Sequence, residues 1–308
     1  MQLTTPVDIS TIAHYAYEDS FLLIGSCFTS NIARKMRQAY MQVCENPFGE
    51  LYNPLSVAEC LRWLQTGDTF TAGHLVSHDG LCHSMLHHGS FSMPDQQQTL
   101  DRINTELQNA RLFVRNAKRL HIVITFGSAY VYQRCGQVVG NCHKLPADEF
   151  CVHRLSVGEI IDCWQPLISR WDNADFLFTV SPIRHKAYGM HGNQLGKAAL
   201  ILAVEQLEVP YFPAYEIMLD ELRDYRFYAA DMLHPSETAV DYIWQRFTQS
   251  CFSLQAQQQI AEAETVNRLV SHRMLHPGTS RAQQYEQLKQ QKINNLKQQY
   301  PWIENLLP

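Results

Sequence analysis

The stretch Phe21-Leu22-Leu23-Ile24-Gly25-Ser26-Cys27-Phe28, followed at once by Thr29-Ser30-Asn31, decides the fold. Four consecutive apolar residues read as a buried strand, and Gly25 lets the backbone turn where a side chain would clash. Beyond it Ile32, Ala33, Met36 and Tyr40 recur at helical spacing, which predicts a helix over 30–41 with one face on a sheet. Ser26 and Cys27 thereby fall at a strand's carboxyl end beside a helix amino terminus. In an open α/β sheet that is the usual place for a ligand or a nucleophile. A thiol there meets the helix dipole and unpaired backbone N–H groups, both of which favour thiolate. The alternative is a small, buried and inert Cys27, the common fate of free cysteines.

Outward from this stretch, strands and helices alternate. A short strand is expected over 41–44, then a loop rich in turn formers over 45–54. Ser56 with Glu59 gives a capping-box signal for a helix whose buried stripe is Val57, Cys60, Leu61 and Leu64. Leu100, Ile103, Leu107 and Val114 predict a helix over 96–117, and Leu120–Phe126 reads as the clearest central strand. Ser156 and Glu159 cap another helix, with Val157, Ile160, Ile161, Trp164 and Leu167 inward. A strand over 176–180 follows. Asn193 is expected to cap a helix over 194–207, whose Leu195, Ala198, Ala199, Leu202 and Val204 favour helix by both propensity and pattern. Residues 211–218 resemble a last strand, which Pro213 places at an edge, and a closing helix runs over 236–249. Strands separated by helices of this length form βαβ units, hence a mostly parallel sheet of about five strands covered on both faces.

Residues 66–94, 130–154 and 186–192 read as loop insertions in a domain spanning 1–250. Residues 251–308, with helical patterns at 253–270 and 279–299, are open to three readings: a C-terminal helical extension with a surface for self-association, a partner-binding segment or a partly disordered tail. Five histidines (His74, His78, His83, His87, His88) crowd the first insertion, open to three readings: a metal site, a substrate-facing loop or ordinary surface residues. No carboxylate or cysteine pattern of metal-binding spacing accompanies them, so neither metal nor other cofactor is expected.

Composition narrows the class. In 308 residues the apolar fraction is 45%, the charged fraction 18% and the formal charge -5, so no global attraction to nucleic acid or anionic membrane exists. Nine cysteines, an odd number without a CxxC pair, do not form a disulfide framework and suggest reduced thiols in a cytoplasmic setting. No signal-peptide pattern opens the chain, and no 18-residue apolar run offers a membrane span.

A nucleophile needs a base, and the base needs an orienting group. Asp231 and His234 stand three positions apart in a turn-like stretch that ends at Pro235, before the closing helix. That spacing aims both side chains at one spot where the chain returns to the sheet's carboxyl edge. Arg184 offers a fork for carboxylate or phosphate, and His185 follows a strand end; both have equally good structural readings, as do Asn141 and His143.

Gly25-Ser26-Cys27-Phe28-Thr29 resembles the signature of the GSCFA-domain family, named for Gly-Ser-Cys-Phe-Ala, with Thr29 in place of alanine. Further words of that bacterial family occur in order: Asn46-Pro47-Phe48-Gly49, Tyr52-Asn53-Pro54, Gly127-Ser128-Ala129-Tyr130, Asn141-Cys142-His143-Lys144, Ser181-Pro182-Ile183-Arg184-His185 and Asp231-Met232-Leu233-His234-Pro235. The family is in turn similar to the SGNH or GDSL hydrolases, which implies a flavodoxin-like three-layer α/β/α sandwich. The overlay puts the nucleophile on Cys27, a preceding aspartate on Ser26, the Asp–His pair on Asp231 and His234, and an oxyanion-hole glycine on Gly49. The asparagine of the third block is missing after the 120–126 strand, so Asn53, Ser128 or Asn141 would replace it. The chemistry implied is hydrolysis or acyl transfer on an ester or thioester through an acyl-cysteine, with Ser26 the lesser candidate nucleophile. A small acyl-bearing substrate, a glycan among the options, is the partner implied. The competing expectation is a non-catalytic binding scaffold on the same fold.

Overall fold

The computed structural model describes residues 4–304 other than Arg273, Leu275 and Pro277, together with Leu306. The central sheet has five strands, all paired in parallel. β1 (Ser20–Gly25) leads into α1 (Cys27–Gln38), then β2 (Gln42–Glu45) and α2 (Pro54–Gln65). The hairpin β3 (Leu75–His78) and β4 (Leu81–Ser84) precedes α3 (Gln96–Asn116) and β5 (Leu120–Phe126). A three-stranded antiparallel sheet of β6 (Tyr130–Arg134), β7 (Gln137–Val139) and β8 (Cys151–Arg154) leads to α4 (Val157–Ile168) and β9 (Ala174–Val180). The chain continues through α5 (Gly189–Gln206), β10 (Tyr211–Phe212), the single turn α6 (Ala214–Glu216), α7 (Glu237–Cys251), α8 (Leu254–Ser271) and α9 (Ser280–Gln299).

Spatial order in the main sheet is β10-β9-β5-β1-β2. Counting only its own strands, this is 2-1-3-4-5, the doubly wound order of flavodoxin-like sheets, with a switch point between β1 and β5. The expected three-layer α/β/α sandwich is therefore present. Ser20 pairs with Leu120 and Gly25 with Thr125; Leu120 pairs with Ala174 and Phe126 with Val180. Alternation along these strands divides the core. Leu22, Ile24, Ile122, Ile124 and Phe178 pack on α2 to α5. Phe21, Leu23, Val123 and Leu177 pack on α1, α7 and the two helices beyond. Ile260, Val266, Ile293 and Leu296 of α8 and α9 belong to that same cluster, so the C-terminal helices bury their apolar stripes on it. Among the described residues no helix is long and apolar enough to cross a membrane, and all nine cysteines are free thiols.

Several local expectations need correction. Helix α1 begins at Cys27, not residue 30, because the Ser26 hydroxyl accepts the Phe28 N–H and caps it. Helix α2 is capped by Asn53, whose Oδ1 accepts the Ser56 N–H at 2.9 Å, with Pro54 in the first turn. The Ser56–Glu59 signal therefore lay inside the helix. The expected last strand shrinks to two residues, since Pro213 supplies no N–H and the chain coils at once into α6. Helix α5 starts four residues before Asn193, and of the expected apolar set only Val204 is buried. Its buried positions are Gly192, Asn193, Gly196, Lys197, Leu200, Ala203 and Val204, whereas Leu195 is 41% and Leu202 52% exposed. Glycines hold the first turns of that face because the helix lies close against Tyr130 there: a Cβ on Gly192 would stand 3.1 Å from its hydroxyl.

Candidate active site

Residues around Cys27 come from the carboxyl ends of β1, β5 and β9. The Ser26 N–H reaches Thr125 O, Gly127 and Ser128 both donate to Tyr52 O, and Ser181 donates to Phe126 O. These bonds stitch three strand ends into one floor. Gly25 permits the first of them: its φ is +151°, and a Cβ there would lie 2.2 Å from Thr125 O. Its own N–H goes to Asn46 Oδ1 at 2.8 Å, which fixes the loop after β2 against the turn.

Cys27 occupies the first position of α1 and is half-buried. The expectation that a helix terminus would favour thiolate is not met. Burial, and then the Glu50 carboxylate, push the thiol up to about 11. The N–H groups of Cys27 and Phe28 and the charge of Lys197 oppose this and lose, because desolvation penalises the anion more. Glu50 is held by the Tyr52 hydroxyl, 2.9 Å from Oε2. Ser26 is buried, with its hydroxyl committed to the helix cap.

Asp231 and His234 form the expected pair. Asp231 Oδ2 lies 2.5 Å from His234 Nδ1, while Oδ1 accepts the N–H groups of Leu233 at 2.9 Å and His234 at 3.0 Å. The backbone N–H groups of His234 and Leu233, then the imidazole, hold the carboxyl down at about 2. The loop is tied to the end of β9 by the Arg184 N–H on Leu233 O. It feeds α7, whose first turn reaches α1 through Glu237 and Arg34, 2.8 Å apart. Among the described residues no hydrogen bond joins Cys27 to His234, and His234 is half-exposed on its loop.

The remaining candidates divide. Gly49 has φ +76° in a tight turn and already donates its N–H to Asn46 O at 2.7 Å. Asn53 is buried as the cap of α2, its amide also on Ser56 Oγ. Ser128, buried after β5, accepts the Tyr130 N–H at 3.1 Å and lines a small hollow with His185, Asn193 and Lys197. His185 donates its backbone N–H to Asn193 Oδ1, and its buried Nδ1 has no partner among the described residues. Burial, then Lys197, lowers its pKa. Arg184 lies over the rings of Tyr228 at 4.1 Å and Tyr225 at 5.1 Å, beside a hollow of about 340 Å³.

Asn141 and His143 belong to a different network. Asn141 Oδ1 accepts the His143 N–H, and His143 Nε2 meets Ser84 O at 2.8 Å. The His143 ring stacks on His83 at 4.5 Å. His83 in turn bonds Ser92 Oγ and His78 O, so these histidines clamp the β3–β4 hairpin to the 140s loop. Among the described residues no group of three or more His, Cys, Asp or Glu is placed to hold a metal ion.

A second Asp–His pair lies at the opposite, amino-terminal end of the strands. Asp19 Oδ2 is 2.7 Å from His121 Nε2, both buried, with the imidazole against Tyr15 and Phe21. Ser20, next to Asp19, pairs with Leu120, whereas His121 pairs with Phe21. Partners in a parallel register share a face, so the Ser20 and His121 side chains leave on opposite faces of the sheet. An α/β fold carrying an Asp–His pair is consistent with a hydrolytic site in general.

Glu50, Tyr52 and Lys197 were missed from sequence. The signal for Lys197 was its spacing, four residues after Asn193 and three before Leu200 on the buried helical face.

Residues 20–247 match the model of the family described as the GSCFA family. No curated protein matches the chain.

Proposed function

The chain belongs to the GSCFA family, and for this member we propose ester or thioester chemistry at Cys27, with an acyl-cysteine intermediate. Cys27 attacks the carbonyl. His234 takes the thiol proton and later returns it to the leaving group, and Asp231 fixes the imidazole tautomer by accepting from Nδ1. The Cys27 backbone N–H, at the head of α1, donates to the developing oxyanion. Water completes a hydrolysis; a hydroxyl or amine completes an acyl transfer. The kinship this implies is with the SGNH hydrolases.

The observation that carries the reading is the Asp231 cage. Three donors converge on one carboxylate and orient His234 on a loop bonded to the end of β9. In the test, Cys27→Ala and His234→Ala should each abolish turnover of p-nitrophenyl acetate, while Cys27→Ser should retain a measurable part. Unchanged turnover in both alanine variants refutes the assignment. The elevated thiol favours a second reading, a binding scaffold without turnover; wild-type protein inert across a panel of esters and thioesters would select it.

A further inference from the structure

Glu50 stands beside the nucleophile turn without a counter-ion. Its Oε1 accepts the Ser30 hydroxyl at 3.4 Å and its Oε2 the Tyr52 hydroxyl at 2.9 Å. Both supports border Cys27. Ser30 follows it by three positions on α1, the spacing that brings side chains of one helix together. The Tyr52 ring and Ser26 Cβ meet at Gly127, 3.2 and 3.3 Å from a Cβ built there. The carboxylate is thus tethered from two sides next to Cys27, and its charge acts on the sulfur.

Hydroxyl donors fix a carboxylate but leave its charge in place, and two of them fill about half of its roughly four lone-pair positions. Among the described residues no lysine, arginine or histidine forms an ion pair with Glu50. The cations in its neighbourhood are committed elsewhere. Arg34, one turn beyond Ser30 on α1, pairs with Glu237. Lys197 lies behind the strand ends, its Nζ on Gly127 O at 2.8 Å and Ser181 O at 2.7 Å. Glu50, Tyr52 and Cys27 are all partly open to solvent.

We propose that Glu50 is the specificity-determining anion of this site, and that the substrate carries a positive charge, an ammonium or quaternary ammonium, close to its reacting carbonyl. This deepens the reading of Cys27 as nucleophile and rests on it. The substrate's cation supplies the counter-charge that the two hydroxyls leave out. It also offsets the field that opposes thiolate, so the sulfur ionises more readily with substrate in place than without it. An anionic acyl group meets the same carboxylate and is repelled.

The test compares two thiol reagents of similar size and opposite charge, (trimethylammonio)ethyl and sulfonatoethyl methanethiosulfonate. The buffer is kept at an ionic strength of about 0.01 M, where charges this close are little screened. Peptide mass spectrometry after digestion without reductant separates Cys27 from the other cysteines. Both reagents meet the same thiolate fraction, so the ratio of their rates cancels the thiol's own ionisation and reads the local charge. A carboxylate about 7 Å from the sulfur, even at water's dielectric, changes each rate by a factor of about 2.7 in opposite directions. The cation-to-anion ratio at Cys27 should therefore exceed that of N-acetylcysteine by about sevenfold, and Glu50→Gln, uncharged and of the same shape, should remove most of that excess. A wild-type ratio no greater than that of N-acetylcysteine overturns the proposal without any variant, as does an excess that survives in E50Q. Glu50→Ser serves in the same comparison if E50Q does not fold. The reagents read the surroundings of the sulfur alone. Protein inert toward esters with its charge preference intact refutes the acyl-enzyme reading and leaves the cation-attracting carboxylate standing; ester turnover without the preference does the reverse.

Discussion

Gly25→Ala is the sharpest perturbation of the site's foundation. Gly25 has φ +151°, a region that residues with a Cβ rarely adopt, and forcing alanine into it costs on the order of 1–3 kcal/mol. Packing adds to this. The new Cβ would stand 2.2 Å from Thr125 O and 2.8 Å from Thr125 Cβ, both on the adjoining central strand. One is a backbone atom held in the β5 ladder, so relief requires β1 and β5 to part at the end where they support Ser26. A total of about 3–5 kcal/mol follows, at the large end for a single substitution. With a urea dependence of about 3 kcal/mol per M, the midpoint should fall by roughly 1 M or more. Gly80→Ala is the matched control: φ is +71°, but nothing lies within 4 Å of the added Cβ, so only backbone strain of about 1–2 kcal/mol applies. The assay is urea unfolding followed by tryptophan fluorescence for wild type and both variants. If Gly25→Ala costs no more than Gly80→Ala, the close approach of β1 to β5 is not what demands glycine, and the reasoning fails.

Further expectations concern the site and its supports. Glu50→Gln removes the anion nearest in effect to the sulfur, so thiolate becomes easier to form and Cys27 alkylation at pH 8 should accelerate; a slower rate would contradict the placement of that charge. Asp231 is depressed to about 2, so its carboxylate is retained above that value and its hold on His234 is lost only as pH falls through about 2. Titration of its ¹³Cγ resonance checks this, and a midpoint near the ordinary value of about 4 would dissolve the three-donor cage. Asp231→Asn should keep the fold but cut kcat on activated esters by about 100-fold or more, because the imidazole loses its tautomer control. Asn53→Ala should destabilise by roughly 1–2 kcal/mol through loss of the α2 cap, measurable as a lower unfolding midpoint, with little effect if Ser56 were the true cap.

What could be read in one dimension was set by short-range patterning. Leu120–Phe126 is a strand at its expected bounds because seven buried residues in a row leave no amphipathic helix as an alternative. The capping box of Ser156 and Glu159 is present as expected, since its bonds span three residues. The Asp231–His234 pair is likewise local, three positions apart in a turn, and it closes as the spacing suggested. Errors arose where a neighbour distant in sequence outvoted the pattern. Apolar Leu195 and Leu202 face outward on α5, whose first turns approach Tyr130 through Gly192 and Gly196. The 130–154 excursion likewise pairs into its own antiparallel sheet.

Order along the chain thus determined the strands, the helices, their alternation and the caged Asp–His pair, because each depends on residues within a few positions of one another; the parallel sheet was read from that alternation. Tertiary structure alone decided the electrostatics of the site. Burial and Glu50 raise the thiol that the helix terminus alone would lower, and a lysine from α5 enters beneath the strand ends. Charges act through space and through the local dielectric, and neither is a function of sequence separation.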